Sequence, residues 1–243
     1  MTDRTLIRLS GPDAPEFLQG LITNDVTKVD EGLVYAALLT PQGKFIADFF
    51  VSAHEDALFL DVATSHAQSL AQRLTMYRLR ADVQIEESPL IVSCGTGLAP
   101  TGALSDPRHP DLGWRLISEK SIPDETDWAT VRVAHVIPET GIELTSDTYI
   151  LEAGFERLNG IDFRKGCYVG QEIAARMKHK TELKKGLVQV KVEGTAPAGT
   201  EIAVDGKAAG TLFTQSNGLG LAHLRFDRAT GPMQAGSATV TRT

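Results

Sequence analysis

The chain has 243 residues, 42% hydrophobic and 23% charged, so it is an ordinary globular composition with apolar material for more than one core. The net charge of −7 speaks against a whole-surface nucleic-acid binder. Two cysteines, Cys94 and Cys167, with no CxxC pair, argue against a disulfide scaffold and against a cysteine-only metal or cluster site. That cysteine usage fits a reducing cytosol, and a cytoplasmic location is expected. The opening MTDRTLIRLSGPDAP has no long apolar region of a secretory signal, and no run approaches the length of a membrane span.

Ser10-Gly11-Pro12-Asp13 is a helix start, with a capping oxygen, an early proline and an acid near the positive end of the dipole. Phe17, Leu18 and Leu21 then share a face. Strands are predicted over Val34–Leu39, Lys44–Val51 and Ala57–Val62, the first two joined by a tight turn at Pro41-Gln42-Gly43. Thr64 is placed to cap a second helix, along which Ala67, Leu70, Ala71, Leu74 and Tyr77 recur at three- and four-residue steps. Further strands are expected at Asp82–Glu86 and Leu90–Cys94. Residues 95–112, rich in Gly, Pro and Asp, read as a loop, a flexible connection or an edge between lobes. A short helix over Asp127–Val136 is stopped by Pro138 and Gly141, and another is expected over Gln171–Lys178.

Beyond Lys185 come short alternating segments: Gly186–Val192, Glu201–Val204, Lys207–Thr214, Leu219–Leu224 and Ala238–Thr241. With the hairpin signal Asp205-Gly206, this tail reads as a small antiparallel barrel or curled sheet. The fold class expected is α+β followed by an all-β tail.

Cys167 stands between Gly166 and Gly170, two residues after Lys165. Glycines let the backbone bend closely around a ligand, and a cation with a following helix N-terminus favours thiolate over thiol. A reactive cysteine is the reading favoured here over a small side chain filling an apolar space; Cys94, in LIVSC, reads as a packed strand residue. Residues 164–191 hold eight Lys or Arg against two Glu, which suggests a site for an anion or, equally, a solvated basic face. No histidine spacing signals a metal site, and no Gly-rich phosphate motif is present.

KGCYVGQE, residues 165–172, resembles the signature of the YgfZ-type family. These are folate-binding proteins related to the T-protein (aminomethyltransferase) of the glycine cleavage system. Mitochondrial iron–sulfur assembly factors of the family carry the same signature. The segments GPDAPEFLQGLITNDV, LLTPQGKFIADFFV, LTMYRLRADVQI, RVAHVIPETGIEL and the run from Ile150 to Leu187 resemble the family in order. The resemblance implies two ferredoxin-like α+β lobes and a C-terminal antiparallel β-barrel around a central folate channel, divided here as 1–180 and 181–243. It implies tetrahydrofolate-dependent support of iron–sulfur cluster assembly or repair, including clusters of radical-SAM enzymes that modify tRNA. The partners implied are a folate and iron–sulfur assembly proteins or client enzymes.

On this resemblance Cys167 is the reactive residue and Lys165 accompanies it. Glu152 matches the glutamate that T-proteins place on the pterin, a carboxylate able to accept two N–H bonds. Asp48, Tyr77, Arg78, Arg80, Gln171 and Arg176 are the other candidate folate-lining residues, arginine suiting the tail carboxylates. T-proteins carry two adjacent acids where this chain has Ala47-Asp48, so aminomethyl transfer is not the leading expectation. A folate-dependent one-carbon transferase using Asp48 and Glu152, and a folate- or redox-sensing binding module, stand as alternatives. The basic stretch lacks the aromatic platform of a nucleic-acid site.

Overall fold

The computed structural model describes residues 3–180 and 182–243. The domain boundary expected at residue 181 falls outside them. The chain divides into two compact units.

The first unit takes the described residues up to Thr126 together with Phe155–Ile173. Its centre is a five-stranded antiparallel sheet of β1 (Arg4–Ser10), β2 (Val34–Leu39), β3 (Phe45–His54), β4 (Ala57–Ala63) and β5 (Gln84–Ser88), in the order β2-β3-β4-β1-β5. Helices α1 (Ala14–Gln19) and α2 (Thr64–Arg78) cover one face, burying Leu18, Leu70 and Leu74 against Ile7, Leu9, Phe49, Val51, Leu60 and Val62. The opposite face places Leu6, Ala57 and Phe59 against Leu90, Val92 and Ile117. These last belong to, or flank, a three-stranded sheet of β6 (Ile91–Gly95), β7 (Leu104–Ser105) and β8 (Trp114–Ser118), ordered β6-β8-β7. The long apolar runs of β2 and β4 follow from burial on both sides of the central sheet.

Two helix starts differ from expectation. Ser10, expected to supply the capping oxygen, is the last residue of β1; Asp13 stands at the N-cap of α1 instead, and its carboxylate accepts from the Asp82 amide at 2.8 Å and caps no helix amide. Thr64 is the first residue of α2, not its cap, and its hydroxyl meets that of Thr5 at 2.9 Å. Three strands of this unit, β1, β7 and β8, were not expected. In β1, Leu6 and Ile7 go to opposite buried faces, which breaks the apolar–polar alternation. In β8, Arg115 sits mid-strand and is buried. Residues 95–112 are no flexible connection: they contain β7 and a 3₁₀ turn at Pro110–Leu112, and Asp106 and Arg108 are buried.

The second unit takes Asp127–Gly154 and residues from Ala174 onward. Strands β9 (Lys185–Glu193), β10 (Thr200–Val204), β11 (Lys207–Ser216), β12 (Leu219–Arg225), β13 (Met233–Ala235) and β14 (Ala238–Arg242) close into an antiparallel barrel ordered β10-β11-β12-β9-β14-β13. Asp205 and Gly206 both have positive φ, 48° and 73°, as the two-residue hairpin requires. Val190, Ile202, Leu212, Leu224 and Val240 fill the interior. Helix α3 (Trp128–His135), capped by Asp127, is tied to the barrel: Arg132 pairs with Glu139 and Glu143, and Glu143 accepts from the Thr214 hydroxyl at 2.6 Å. The expected α+β body and all-β tail are both present. Helix α4 (Gln171–Lys180) follows Gly170.

Candidate functional site

The loop carrying Cys167 is built from its anchors. Asp162 opens it, accepting from Lys28 Nζ and the Arg164 amide, both at 2.7 Å; the Lys28 bond holds its carboxyl below the usual range. Lys165 then turns inward. Its Nζ donates to the carbonyls of Gln19 at 2.7 Å and Ile22 at 2.6 Å, groups at and just past the end of α1 that lack helical partners. Burial pushes the Lys165 ammonium down to about 8. Lys165 is therefore a loop anchor, while the Cys167 side chain is exposed. Its Nζ also lies 5.1 Å from the centroid of the Tyr168 ring. Tyr168 is buried, its hydroxyl unpaired among the described residues and pushed up by burial to about 12. Val169 packs on the core of the unit.

The two glycines do different things. Gly170 has φ +84°, and a Cβ there would lie 2.6 Å from the Thr40 carbonyl oxygen and 3.0 Å from Leu39 Cβ. It is the point where the loop presses against the β2–β3 turn. Gly166 lies outside the left-handed region, and a Cβ there would meet nothing within 4 Å. Cys167 thus projects from a loop pinned on both sides, with open space at its neighbour. Cys94 on β6 is half-buried, and burial pushes its thiol up, as suits a packed residue.

Asp48 is in the interior. It is 4% exposed and accepts from Tyr35 Oη at 2.9 Å. Burial, with the Asp48 charge, raises the Tyr35 phenol well above its ordinary value. Around them runs a charge network that sequence reasoning missed. Asp61 accepts from Arg4 Nε at 2.5 Å and from Arg115 Nη1 at 2.6 Å; Asp106 accepts from Arg115 Nε at 3.1 Å and from Arg108 Nη2 at 2.8 Å. The guanidinium carbons of Arg115 and Arg108 stand 3.7 and 4.8 Å from the Phe50 ring centroid. Burial works to raise the Asp106 carboxyl, but the two arginines outweigh it and hold it at about 2. Nothing in a proline-rich, polar segment such as DPRHPD marks its first acid and its arginine as buried.

Glu152, in the second unit, lines a cavity of 290 Å³ together with Met177, Lys184, Lys185 and Arg225. Its Oε2 lies 3.3 Å from both Lys185 Nζ and His223 Nε2. Burial acts to raise this carboxyl, and the His223 and Lys185 interactions outweigh it, leaving it lowered. The segment is fixed by the Leu187 amide, which donates to the Glu152 carbonyl at 2.7 Å. His223 and Lys185 are the partners that sequence reasoning did not name; they are set by the register of β12 on β9, which pairs His223 with Leu187.

Of the remaining candidates, Tyr77 is half-buried on the core of the first unit. Arg78 is exposed, donating to the Val83 carbonyl at 3.2 Å, and Arg80 is exposed. Gln171 is half-buried and Arg176 exposed, near the start and in the middle of α4. The first unit thus holds Cys167, Lys165, Asp48, Tyr77, Arg78, Arg80 and Gln171, and the second holds Glu152 and Arg176. Among the described residues no helix is long and apolar enough to cross a membrane.

Comparison with known proteins adds to this geometry. Residues 184–243 match the CAF17 C-terminal β-barrel domain and residues 1–91 the GCVT N-terminal domain. In fold the chain is similar to the aminomethyltransferase T of the glycine cleavage system from Bartonella henselae, with a TM-score of 0.77 at 13% identity, over 99% of this chain and 83% of the other. The GcvT-like α+β architecture with a C-terminal barrel is as expected. In sequence the chain is 30% identical over 278 residues to the mitochondrial iron–sulfur cluster assembly factor IBA57 of Mus musculus, covering 95% of this chain and 78% of the relative. The Homo sapiens protein of that name is 28% identical, with the same shares covered. The Neurospora crassa homolog is 30% identical over 85% of this chain and 56% of its own length. These relatives are named as mitochondrial, which overturns the cytoplasmic placement. That placement rested on cysteine usage, which reports a reducing environment and cannot distinguish one such compartment from another. Given this identity over most of both chains, the protein belongs to the IBA57/CAF17 family of GcvT-like proteins with a C-terminal β-barrel.

Proposed function

We propose that this chain is a YgfZ-type accessory protein that supports assembly or repair of iron–sulfur clusters through Cys167 and binds tetrahydrofolate. The observation that carries the reading is the exposure of Cys167 on a loop pinned by Lys165 and Gly170, in a chain whose relatives are named cluster assembly factors. An exposed thiol on a pinned loop gives up its proton on binding iron. One thiolate supplies one ligand, so the remaining ligands of a cluster come from a partner. The cluster is cargo, passed to client enzymes such as the radical-SAM proteins that modify tRNA.

The residues around Glu152 fit a pterin. Lys185 and His223 approach Oε2 and keep the group ionised. An ionised carboxylate with spare acceptor capacity is what an aminopyrimidine edge needs. Lys184, Lys185 and Arg225 supply positive charge for an anionic tail, outnumbering the one further carboxylate of the lining, Glu182, and the cavity of 290 Å³ is near the lower limit, roughly 300 Å³, of small-molecule sites. Bound tetrahydrofolate would supply a one-carbon carrier or a redox-active pterin; Glu152 would orient it. The transferase reading needs Asp48 to reach a substrate, whereas Asp48 is buried beneath the Tyr35 hydroxyl.

The test is complementation of cells lacking their own family member, reading the activity of [4Fe–4S] enzymes. Cys167→Ser is expected to fail while melting like the parent. Full restoration by Cys167→Ser would remove the cysteine from the mechanism. Separately, tetrahydrofolate at a hundred times its Kd is expected to stabilise the parent by about 2.7 kcal/mol, and Glu152→Gln much less.

A further inference from the structure

We infer that the first unit carries a second binding surface, a docking groove for a partner segment that presents apolar side chains flanked by lysine or arginine. The groove lies beside α1 and the β3–β4 turn, with a volume of 540 Å³. Leu9, Val26, Val29 and Leu58 contribute its apolar lining. Glu16, Asp30, Glu55 and Asp56 also line it, all exposed, and no Lys or Arg does. Asp56 is paired with Arg8, whose Nη2 donates to it at 3.4 Å. Glu16, Asp30 and Glu55 have no ion pair among the described residues. Three unpaired carboxylates around an apolar groove, with a fourth already held by Arg8, favour a cationic occupant.

The polar groups of the lining decide between a small molecule and a polypeptide. Small-molecule sites use a few free polar groups to orient the ligand. Here the neutral polar side chains are already committed: Gln19 Nε2 donates to Asp25 at 3.0 Å, Gln19 Oε1 accepts from the Val26 amide at 2.8 Å, and the Thr27 hydroxyl donates to Asp25 at 2.8 Å. What remains is apolar surface inside and carboxylates outside, the pattern that an apolar side chain between two cations fills. The groove is also linked to the Cys167 loop, because the Gln19 carbonyl is one of the two that hold Lys165. A partner seated there is held on the unit that displays Cys167. The groove itself does not depend on what Cys167 reacts with.

The probe is a fluorescein-labelled peptide alternating leucine and lysine, with a leucine–glutamate peptide as control, read by anisotropy on the full chain. The leucine–lysine peptide is expected to bind, with affinity falling as salt rises. Glu16→Lys combined with Asp30→Lys is expected to weaken it about tenfold or more. Ala53→Trp, at an exposed position lining the groove, blocks it sterically without changing charge. Equal binding of the two peptides, or no loss in either variant, would overturn the proposal. So would sedimentation showing a dimer of the parent that both variants dissociate, since a second copy would then be the occupant.

Discussion

Replacing each glycine of the Cys167 loop by alanine separates the packing role of one from the open surroundings of the other. At Gly170, alanine must hold φ near +84°, and its methyl would stand 2.6 Å from the Thr40 oxygen and 3.3 Å from Gly43 Cα. These are backbone atoms and cannot rotate away. Left-handed strain of roughly 1–2 kcal/mol and overpacking of roughly 1–3 kcal/mol together give a loss of about 3 kcal/mol. For a chain of this size that is roughly 6–12 °C in Tm. At Gly166 the methyl meets nothing within 4 Å and the backbone is not left-handed. Gly166→Ala is therefore expected to be neutral or to stabilise by about 0.4–1 kcal/mol through the unfolded chain. Scanning calorimetry of the two variants beside the parent reads this directly. A Gly170→Ala loss below about 1 kcal/mol, or equal losses at both positions, would refute the argument. Because Gly166→Ala leaves the fold intact, any loss of cluster-enzyme activity in it reports what approaches Cys167.

Other expectations rest on charge. The Lys165 ammonium titrates at about 8 when folded against 10.5 ordinarily, so between those values the unfolded chain binds more protons and stability rises with pH; Lys165→Met should lose that rise in melts across the window. Asp106→Asn leaves two buried guanidinium groups short of a partner and should cost about 3–5 kcal/mol in urea unfolding. With its folded carboxyl at about 2 against 3.8, Asp106 contributes stability above the higher value that is lost as pH falls toward the lower, and the variant should show a flatter acid limb. Glu152→Gln breaks a pairing with half-exposed partners and should cost at most about 1 kcal/mol without ligand; a larger loss would make Glu152 a structural residue.

Much of this protein can be read from local spacing. The alternation and glycine-separated rhythm after Lys185 specify antiparallel hairpins, and five of the six barrel strands lie where that rhythm puts them. The three- and four-residue steps after Thr64 specify α2, and the Pro41–Gly43 turn specifies the β2–β3 hairpin. The octapeptide around Cys167 locates the candidate site. Each is a short-range pattern, decided by the period of a helix or strand and by which residues tolerate a turn. What local spacing could not decide depends on pairing between distant residues. Whether Lys165 faces a sulfur or a carbonyl is settled by the end of α1, far upstream in the chain. Arg115 is buried within a strand only because Asp61 and Asp106 meet it there. His223 reaches Glu152 through the register of β12 on β9. In each case a charge is stable in low dielectric only with a partner, and the partner is chosen by tertiary structure, not by neighbours in sequence.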